Sequence, residues 1–171
     1  MSPETEPNAL LNLMSAGHRP THGVTSLRFE TIVPVGLDEA FSFFSNAANL
    51  ERLTPPWVNF RIRTALPIQM REGALIDYRI SIYGVPLPWR TRIDVWEPGV
   101  RFVDRQVAGP YRWWRHEHLF EVHPQGTRVI DQVDYAPRAA ALSAWLVRRD
   151  VGRIFAFRQG VLASLLTEAR S

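Results

Sequence analysis

Cysteine and lysine are both absent from this chain of 171 residues. Without cysteine there can be no disulfide, no thiolate ligand for a metal and no cysteine nucleophile. All 20 basic residues are arginine, and the formal net charge is only +3. The arginines are scattered, with Arg148-Arg149 the one adjacent pair, whereas nucleic-acid-binding proteins usually carry a basic stripe or cluster. We therefore expect no nucleic-acid partner.

Long apolar runs are absent as well. No window approaches the roughly 18 uninterrupted apolar residues of a membrane span, so we expect no stable membrane insertion. The first residues, Met1 to Glu6, are acidic and lack the basic and apolar regions of a secretory signal. Together with the lack of cysteine, these features predict a cytoplasmic protein.

Length and composition fit one folded domain. Hydrophobic residues make up 46% of the chain and charged residues 22%, which is ordinary for a globular protein. A chain of this length can build one core and still enclose a cavity. Residues 1–24 show little periodicity and are predicted to form a flexible N-terminal arm. Residues 25–171 are predicted to form the ligand-binding domain.

The first ordered segments combine one strand with two short helices. Leu27, Phe29 and Thr31 alternate with charged residues, which predicts a half-buried strand. Asp38-Glu39 suit the first turn of a helix, because negative charge is favourable at the positive end of the helix dipole. Asn46 is a good N-cap for a second short helix.

Six further strands are predicted between Val58 and Tyr135. In each segment apolar residues alternate with polar ones, and turns such as Gly84-Val85-Pro86 separate the segments. Such short turns imply antiparallel neighbours with one polar face. After Pro137 the period becomes helical, which predicts a main helix from Val147 to Ala169 behind a shorter helical or irregular stretch.

The element order and one stretch of sequence resemble a known superfamily. A strand, two short helices, six strands and a long helix is the order of the helix-grip fold. The stretch from Gly109 to Phe120, with Phe102-Val103-Asp104 before it and Asp131-Gln132-Val133-Asp134-Tyr135 after it, is similar to bacterial proteins of the START/Bet v 1-like (SRPBCC) superfamily. The resemblance covers about Leu27 to Arg170.

This resemblance implies an α+β fold in which a curved antiparallel sheet of about seven strands wraps around a long C-terminal helix. The superfamily includes lipid-transfer domains and polyketide cyclases and dehydrases. The resemblance therefore implies a small hydrophobic ligand, such as a lipid, an aromatic or a polyketide-like molecule, held between sheet and helix. It implies no cofactor.

Polar residues occur where the pattern places the inner face of the sheet. His116 and His118 share a face with Phe120, and Asp131 shares a face with Val129 on the next strand. A buried polar group without a partner costs about 1–3 kcal/mol, so these groups need one another, water or a ligand. They either form a structural network or serve as the polar end of an apolar pocket.

Two chemical interpretations of the same group stay open beside these. A histidine oriented by Asp131 could remove a proton next to a ketone while the second histidine protonates an oxygen, so His116, His118 and Asp131 are candidate acid–base groups. Two histidines and one carboxylate are also a metal-ligand set. We predict no metal, because the spacing alone is weak evidence for one.

The predicted ligand-binding residues come from strands and from the final helix. Arg158 lies in the apolar stripe of that helix, where we expect its long side chain to reach the rim. The alternatives are a pair with an inner carboxylate such as Asp131 and a contact with an anionic ligand. The full candidate set is Tyr78, Trp89, Trp114, His116, His118, Phe120, Asp131, Phe155 and Arg158.

The sequence leaves three classes of function open. The first is a carrier or sensor that binds a small hydrophobic molecule, and the second is a cyclase or dehydrase that uses His116, His118 and Asp131. The third is a partner-binding module whose interior is filled by its own aromatics. An internal cavity separates the third class from the others, because a normally packed interior has no void much larger than a water. The oligomeric state does not follow from the sequence.

Overall fold

The computed structural model describes residues 20–138 and 141–168. Three α-helices and seven strands make up this part of the chain. The helices are α1 (Leu37–Ser45), α2 (Leu50–Leu53) and α3 (Ala141–Glu168), and short 3-10 turns at Ala47–Asn49 and Pro56–Val58 flank α2. The strands are β1 (Thr25–Val33), β2 (Arg61–Ile62), β3 (Leu75–Ile82), β4 (Val85–Glu97), β5 (Arg101–Ala108), β6 (Tyr111–His123) and β7 (Gly126–Pro137).

The seven strands form one antiparallel sheet in the order β1-β7-β6-β5-β4-β3-β2. Strand β1 pairs with β7 from Thr25↔Tyr135 to Val33↔Thr127, so the first and last strands of the chain lie side by side. Bulges in the pairing of β4 with β5 bend the sheet. With α3 packed against it, this arrangement is the helix-grip fold, and the predicted fold class is confirmed.

Helix α3 is fastened to the sheet along much of its length. The rings of Phe29 and Phe155 stack with their centroids 4.5 Å apart, and Gln159 donates a hydrogen bond to the backbone oxygen of Glu30. Farther along, Leu162 and Leu166 are buried in a cluster built largely from phenylalanines of α1, β5 and β6. This cluster closes one end of the space between sheet and helix.

Local sequence explains the two short helices. In α1 the buried side chains are those of Ala40, Phe41, Phe43 and Phe44. The predicted N-cap is present, because the side chain of Asn46 accepts a hydrogen bond from the backbone N–H of Ala48. It caps the 3-10 turn that leads into α2, a small difference from the predicted helix start.

Two predicted elements differ from the structure. Strand β2 has only two residues, because the hydroxyl of Thr64 accepts the backbone N–H of Asp77 in place of a strand pair. Helix α3 begins at Ala141, so the shorter stretch predicted ahead of Val147 is helical and continuous with the main helix. This stretch includes Ala141, Leu142 and Ala144, which are strong helix formers.

Of the predicted arm at 1–24, residues 1–19 lie outside the described residues. Strand β1 begins at Thr25, immediately after the predicted arm. Among the described residues, no helix is both long enough and apolar enough to cross a membrane.

Candidate functional site

A cavity of about 810 Å³ lies between the sheet and α3. Its volume falls in the range of small-molecule sites in proteins. Because a normally packed interior leaves no void of this size, the expectation of an interior filled by its own aromatics is wrong. That expectation belonged to the partner-binding alternative.

One wall of the cavity is aromatic. The rings of Tyr78 and Trp89 are stacked with centroids 5.7 Å apart, and Trp114 meets Trp89 edge-on at 5.3 Å. The hydroxyl of Thr91 accepts a hydrogen bond from the indole N–H of Trp89 at 3.0 Å and lies 3.1 Å from the hydroxyl of Tyr78. Burial, aided by the charge of Asp104, raises the pKa of Tyr78 well above its usual value. The wall is therefore neutral at physiological pH.

A polar group lies deeper in the cavity, on β6 and β7. His116 Nε2 forms a hydrogen bond of 2.9 Å with Asp131 Oδ1. His118 Nδ1 lies 2.9 Å from the same oxygen. That contact is close but poorly aligned, and His118 Nδ1 has no hydrogen-bond partner among the described residues. Asp131 thus forms a hydrogen bond with one imidazole and a close contact with the other.

Asp104 of β5 faces the other nitrogen of each imidazole. Its Oδ2 lies 3.5 Å from His116 Nδ1 and 3.6 Å from His118 Nε2. The sequence reasoning did not single out Asp104 as a site residue. Asp104 alternates along β5 with Phe102 and Gln106, which are both buried. This alternation predicts that its carboxylate lies on the inner face of the sheet.

The electrostatic state of this group follows from its neighbours. Burial alone would raise the pKa of Asp131, but the Arg158 guanidinium and the two imidazoles outweigh it and hold that pKa well below its usual value. Burial and the neighbouring His118 lower the pKa of His116 against the opposing pull of the two carboxylates. At neutral pH, Asp131 is a carboxylate and His116 is a neutral imidazole.

Arg158 is buried, so the expectation that its side chain reaches the rim of the cavity is wrong. Its guanidinium lies over the ring of Phe44 at 5.0 Å and near that of Phe155 at 5.8 Å. Nη2 lies 3.9 Å from Asp131 Oδ1. Pairing with an inner carboxylate, one of the alternatives for this residue, is observed. The Asp131 carboxylate and the two aromatic rings stabilise the buried guanidinium in place of water. Its Nε is buried with no hydrogen-bond partner among the described residues.

The structure gathers most of the predicted site residues around the cavity. Phe120 is an exception, because it packs against Phe41 and Phe44 in the closed end of the interior. Asp131 also lies off the lining, behind the imidazoles. The candidates that line the cavity are Tyr78, Trp89, Trp114, His116, His118, Phe155 and Arg158.

The cavity reaches the surface at its other end. Trp57, Tyr83 and Leu146 line it and are exposed to solvent. The Tyr83 hydroxyl donates a hydrogen bond to the carboxylate of Asp150 on α3, which joins the β3–β4 turn to the helix. Tyr83 adopts a positive φ of 50° in that turn, a conformation that L-residues adopt seldom. These side chains form the mouth of the cavity.

Comparison with known proteins supports the fold. No protein-family model matches this sequence, and no curated protein is detectably similar to it in sequence. The aromatase/cyclase Zhui from Streptomyces sp. R1128 superposes with a TM-score of 0.70 at 13% identity, over 86% of this chain and 96% of that one.

Two further solved structures extend this likeness. The di-domain ARO/CYC StfQ from the steffimycin biosynthetic pathway superposes with a TM-score of 0.66 at 15% identity, over 86% of this chain and 52% of that one. Major latex-like protein 151 from Panax ginseng superposes with a TM-score of 0.60 at 11% identity, over 84% of this chain and 97% of that one. At these identities the likeness shows the fold alone. The chain therefore has the Bet v 1-like, START-like helix-grip fold that the resemblance implied.

Proposed function

We propose that this protein binds a small hydrophobic ligand in the cavity between the sheet and α3. The observation that carries the proposal is the cavity of about 810 Å³, with its largely apolar lining and a few polar groups at one end. Small-molecule sites have this composition, because apolar walls supply affinity and a few polar groups set the orientation. The helix-grip fold supports the same conclusion.

The lining favours a ligand that has rings and at least one oxygen. The faces of Tyr78, Trp89 and Trp114 suit a flat molecule, because aromatic groups pack well in stacked and edge-to-face geometry. The buried Nε of Arg158 has no partner among the described residues, and such a group costs about 1–3 kcal/mol. A ligand oxygen that accepts this N–H would remove that cost. Aromatic and polyketide-like molecules fit this description better than a simple lipid chain does.

The first test compares native and denatured masses of the freshly purified protein. We expect an added mass of a few hundred daltons that denaturation releases.

The second test is a titration with 8-anilinonaphthalene-1-sulfonate, followed by the fluorescence of the dye. The variant Ile80→Trp adds a large ring to the cavity wall and should weaken dye binding at least about tenfold.

Val122→Trp is the matched control, because Val122 is exposed at the end of β6. It should bind the dye like the wild type. A clean mass, together with equal dye affinity in Ile80→Trp and wild type, would contradict the proposal.

A second candidate function is cyclisation or dehydration of a polyketide-like substrate. The hydrogen bond between His116 and Asp131 at the cavity wall favours it. A neutral imidazole that donates from Nε2 keeps its lone pair on Nδ1, where it can act as a general base. To protonate an oxygen, His118 would have to carry a proton on Nε2, the nitrogen on the side of Asp104. Two of the proteins with this fold are named aromatase/cyclases.

The variant His116→Ala separates the two functions. An enzyme that uses His116 as its base should lose about 10²–10⁴-fold in turnover of a linear poly-β-ketone substrate, while a carrier should lose only part of its binding. Product analysis by chromatography measures the first effect, and the dye titration measures the second. Turnover near the wild-type rate in this variant would rule out His116 as the base.

A further inference from the structure

Three potential ligand atoms converge at the cavity wall. They are Asp104 Oδ2, His116 Nδ1 and His118 Nε2, and they all lie within 4.8 Å of one another. The carboxylate oxygen is 3.5 Å from the first nitrogen and 3.6 Å from the second. Both distances are long for hydrogen bonds. Ligands about 2.0–2.2 Å from a tetrahedral ion are separated from one another by roughly 3.3–3.6 Å. The two separations from the carboxylate oxygen match that spacing.

The contacts of the two imidazoles with Asp131 direct one nitrogen lone pair of each ring toward Asp104. His116 donates from Nε2 to Asp131 Oδ1, so in its neutral form the lone pair is on Nδ1, facing Asp104. His118 Nδ1 lies beside the same Asp131 oxygen, which favours the proton on Nδ1 and the lone pair on Nε2. Two nitrogen lone pairs and a carboxylate oxygen repel one another unless a cation or a proton lies between them.

We propose that Asp104, His116 and His118 bind a divalent transition-metal ion, for which Zn²⁺ is the best geometric match. Two imidazoles and one carboxylate suit Zn²⁺ and its first-row neighbours, whereas Mg²⁺ and Ca²⁺ prefer sites made of oxygen atoms. This inference goes beyond the proposed function, because it needs no organic ligand.

Asp131 completes the site from behind. In metal sites a carboxylate commonly accepts the N–H of a ligating imidazole, which fixes the orientation of the ring. Asp131 occupies that position toward His116, and it lies 2.9 Å from His118 Nδ1 in a poorly aligned contact. It is therefore a positioning residue. This differs from the sequence-level alternative, in which Asp131 itself was the third ligand.

The sheet holds the ligands on rigid elements. His116 lies directly opposite Asp104 in the pairing of β5 with β6, and His118 follows two residues later on the same face of β6. Ligands on adjacent paired strands keep their separations better than ligands on loops do. All three residues line the cavity, so a fourth coordination position would be open to a water or to an oxygen of a bound molecule.

The charges nearby also favour a cation. Asp104 and Asp131 bring two carboxylates into a largely buried group, and Arg158 brings one guanidinium, which contacts Asp131. A buried negative charge without compensation is costly. A divalent ion beside Asp104 would supply the missing positive charge.

The test is a titration of the full chain with metal alone. Protein stripped with a chelator and dialysed is titrated with ZnCl₂ in a calorimeter, and separately with CoCl₂, whose visible absorption reports coordination by nitrogen and oxygen. We expect one ion per chain with a dissociation constant in the micromolar range or tighter. Asp104→Asn and His118→Ala should each weaken binding at least about 100-fold. Asp131→Asn should weaken it about 10–100-fold, because it only orients the ligands.

His123→Ala is the matched control. His123 lies on the same strand but on the opposite face of the sheet, so its removal should leave the affinity unchanged within about twofold. Circular dichroism of each variant establishes that it is folded, and Asp104→Asn preserves the shape of the side chain. The proposal is overturned if neither ion binds below millimolar concentration, or if Asp104→Asn and His118→Ala bind as the wild type does.

The dye titration separates this inference from the proposed function. Dye binding without metal binding overturns the metal site and leaves the hydrophobic cavity function intact. Metal binding with the expected pattern of variants supports the metal site, even where no hydrophobic ligand binds.

Discussion

His116 and Asp131 are joined by a hydrogen bond of 2.9 Å although they do not lie opposite each other in the sheet. The register pairs His116 with Val133, and Asp131 with His118. The bond is therefore a diagonal contact between β6 and β7, and it leaves the directly paired His118 against the same oxygen. One carboxylate oxygen thereby contacts two neighbouring imidazoles and joins two neighbouring strands.

The first prediction concerns the stability that Asp131 contributes. Asp131→Asn should lower the free energy of unfolding by about 3–5 kcal/mol at neutral pH, because it leaves the buried Arg158 cation without its carboxylate. Urea denaturation followed by tryptophan fluorescence measures the change. Glu121→Gln is the control, since Glu121 pairs with Arg128 on the exposed surface, and such pairs contribute at most about 1 kcal/mol. Equal losses in the two variants would contradict the prediction.

The second prediction concerns the coupling between Arg158 and Asp131. Arg158→Met alone leaves a buried carboxylate with one charge partner fewer and should be destabilising. Combined with Asp131→Asn, its effect should be smaller than the sum of the single effects by at least about 1 kcal/mol, because both variants disrupt the same contact. A double-mutant cycle in urea gives the coupling directly. Additive losses would show that the two charges do not interact.

The third prediction concerns pH. Asp94 accepts hydrogen bonds from Arg92 and Arg105, each at 2.6 Å. Burial pushes the pKa of Asp94 upward, but the two guanidinium groups outweigh it and the net pKa is lowered. A group whose pKa is lowered by folding stabilises the fold above its unfolded-state pKa, about 3.9 for aspartate, and loses that contribution as the pH falls through the folded value.

Asp94→Asn should accordingly cost about 1 kcal/mol at pH 6, and the difference from wild type should shrink below about pH 4. Urea denaturation at pH 6 and at pH 3 measures it. Glu30→Gln is a suitable comparison, because the pair of Glu30 with Arg28 is about half exposed and should contribute less. A difference between Asp94→Asn and wild type that grows as the pH falls would have the wrong sign.

The fourth prediction concerns the mouth of the cavity. Tyr83→Phe removes the hydrogen bond to Asp150 that joins the β3–β4 turn to α3. The turn should then open more often, so stopped-flow mixing with 8-anilinonaphthalene-1-sulfonate should give faster association and faster dissociation. The dissociation constant should stay within about twofold, because the interior walls are unchanged. Unchanged rates would show that this contact does not control entry.

The fold could be predicted from the sequence because its signals are local and periodic. Alternation in segments such as Leu75–Ile82 is sufficient to identify a strand and to assign its faces. The sequence left the stretch ahead of Val147 open between helical and irregular, and in the structure it is the start of α3. Strand β2 is only two residues long, and beyond it the backbone N–H of Asp77 donates to the Thr64 side chain, a detail that alternation does not predict.

The candidate site was only partly predictable, for a different physical reason. Alternation along a strand assigns a residue to one face of the sheet, but it does not show whether that residue lines the cavity or packs in the closed end of the interior. Phe120 therefore received a place in the binding set although it packs in the closed end. For Asp104, alternation with Phe102 and Gln106 gives the inner face, but only the register of the folded sheet brings it opposite His116.

The phenylalanine cluster has a consequence for ligand selection. Phe44 and Phe102 line the inner end of the cavity, are themselves buried, and pack back against Phe120. An entering molecule can extend from the mouth only as far as these rings. If the cavity binds its ligand as proposed, the cluster sets a limit on ligand length. In a series of ligands of increasing length the affinity should rise with each added carbon and then drop sharply at one size.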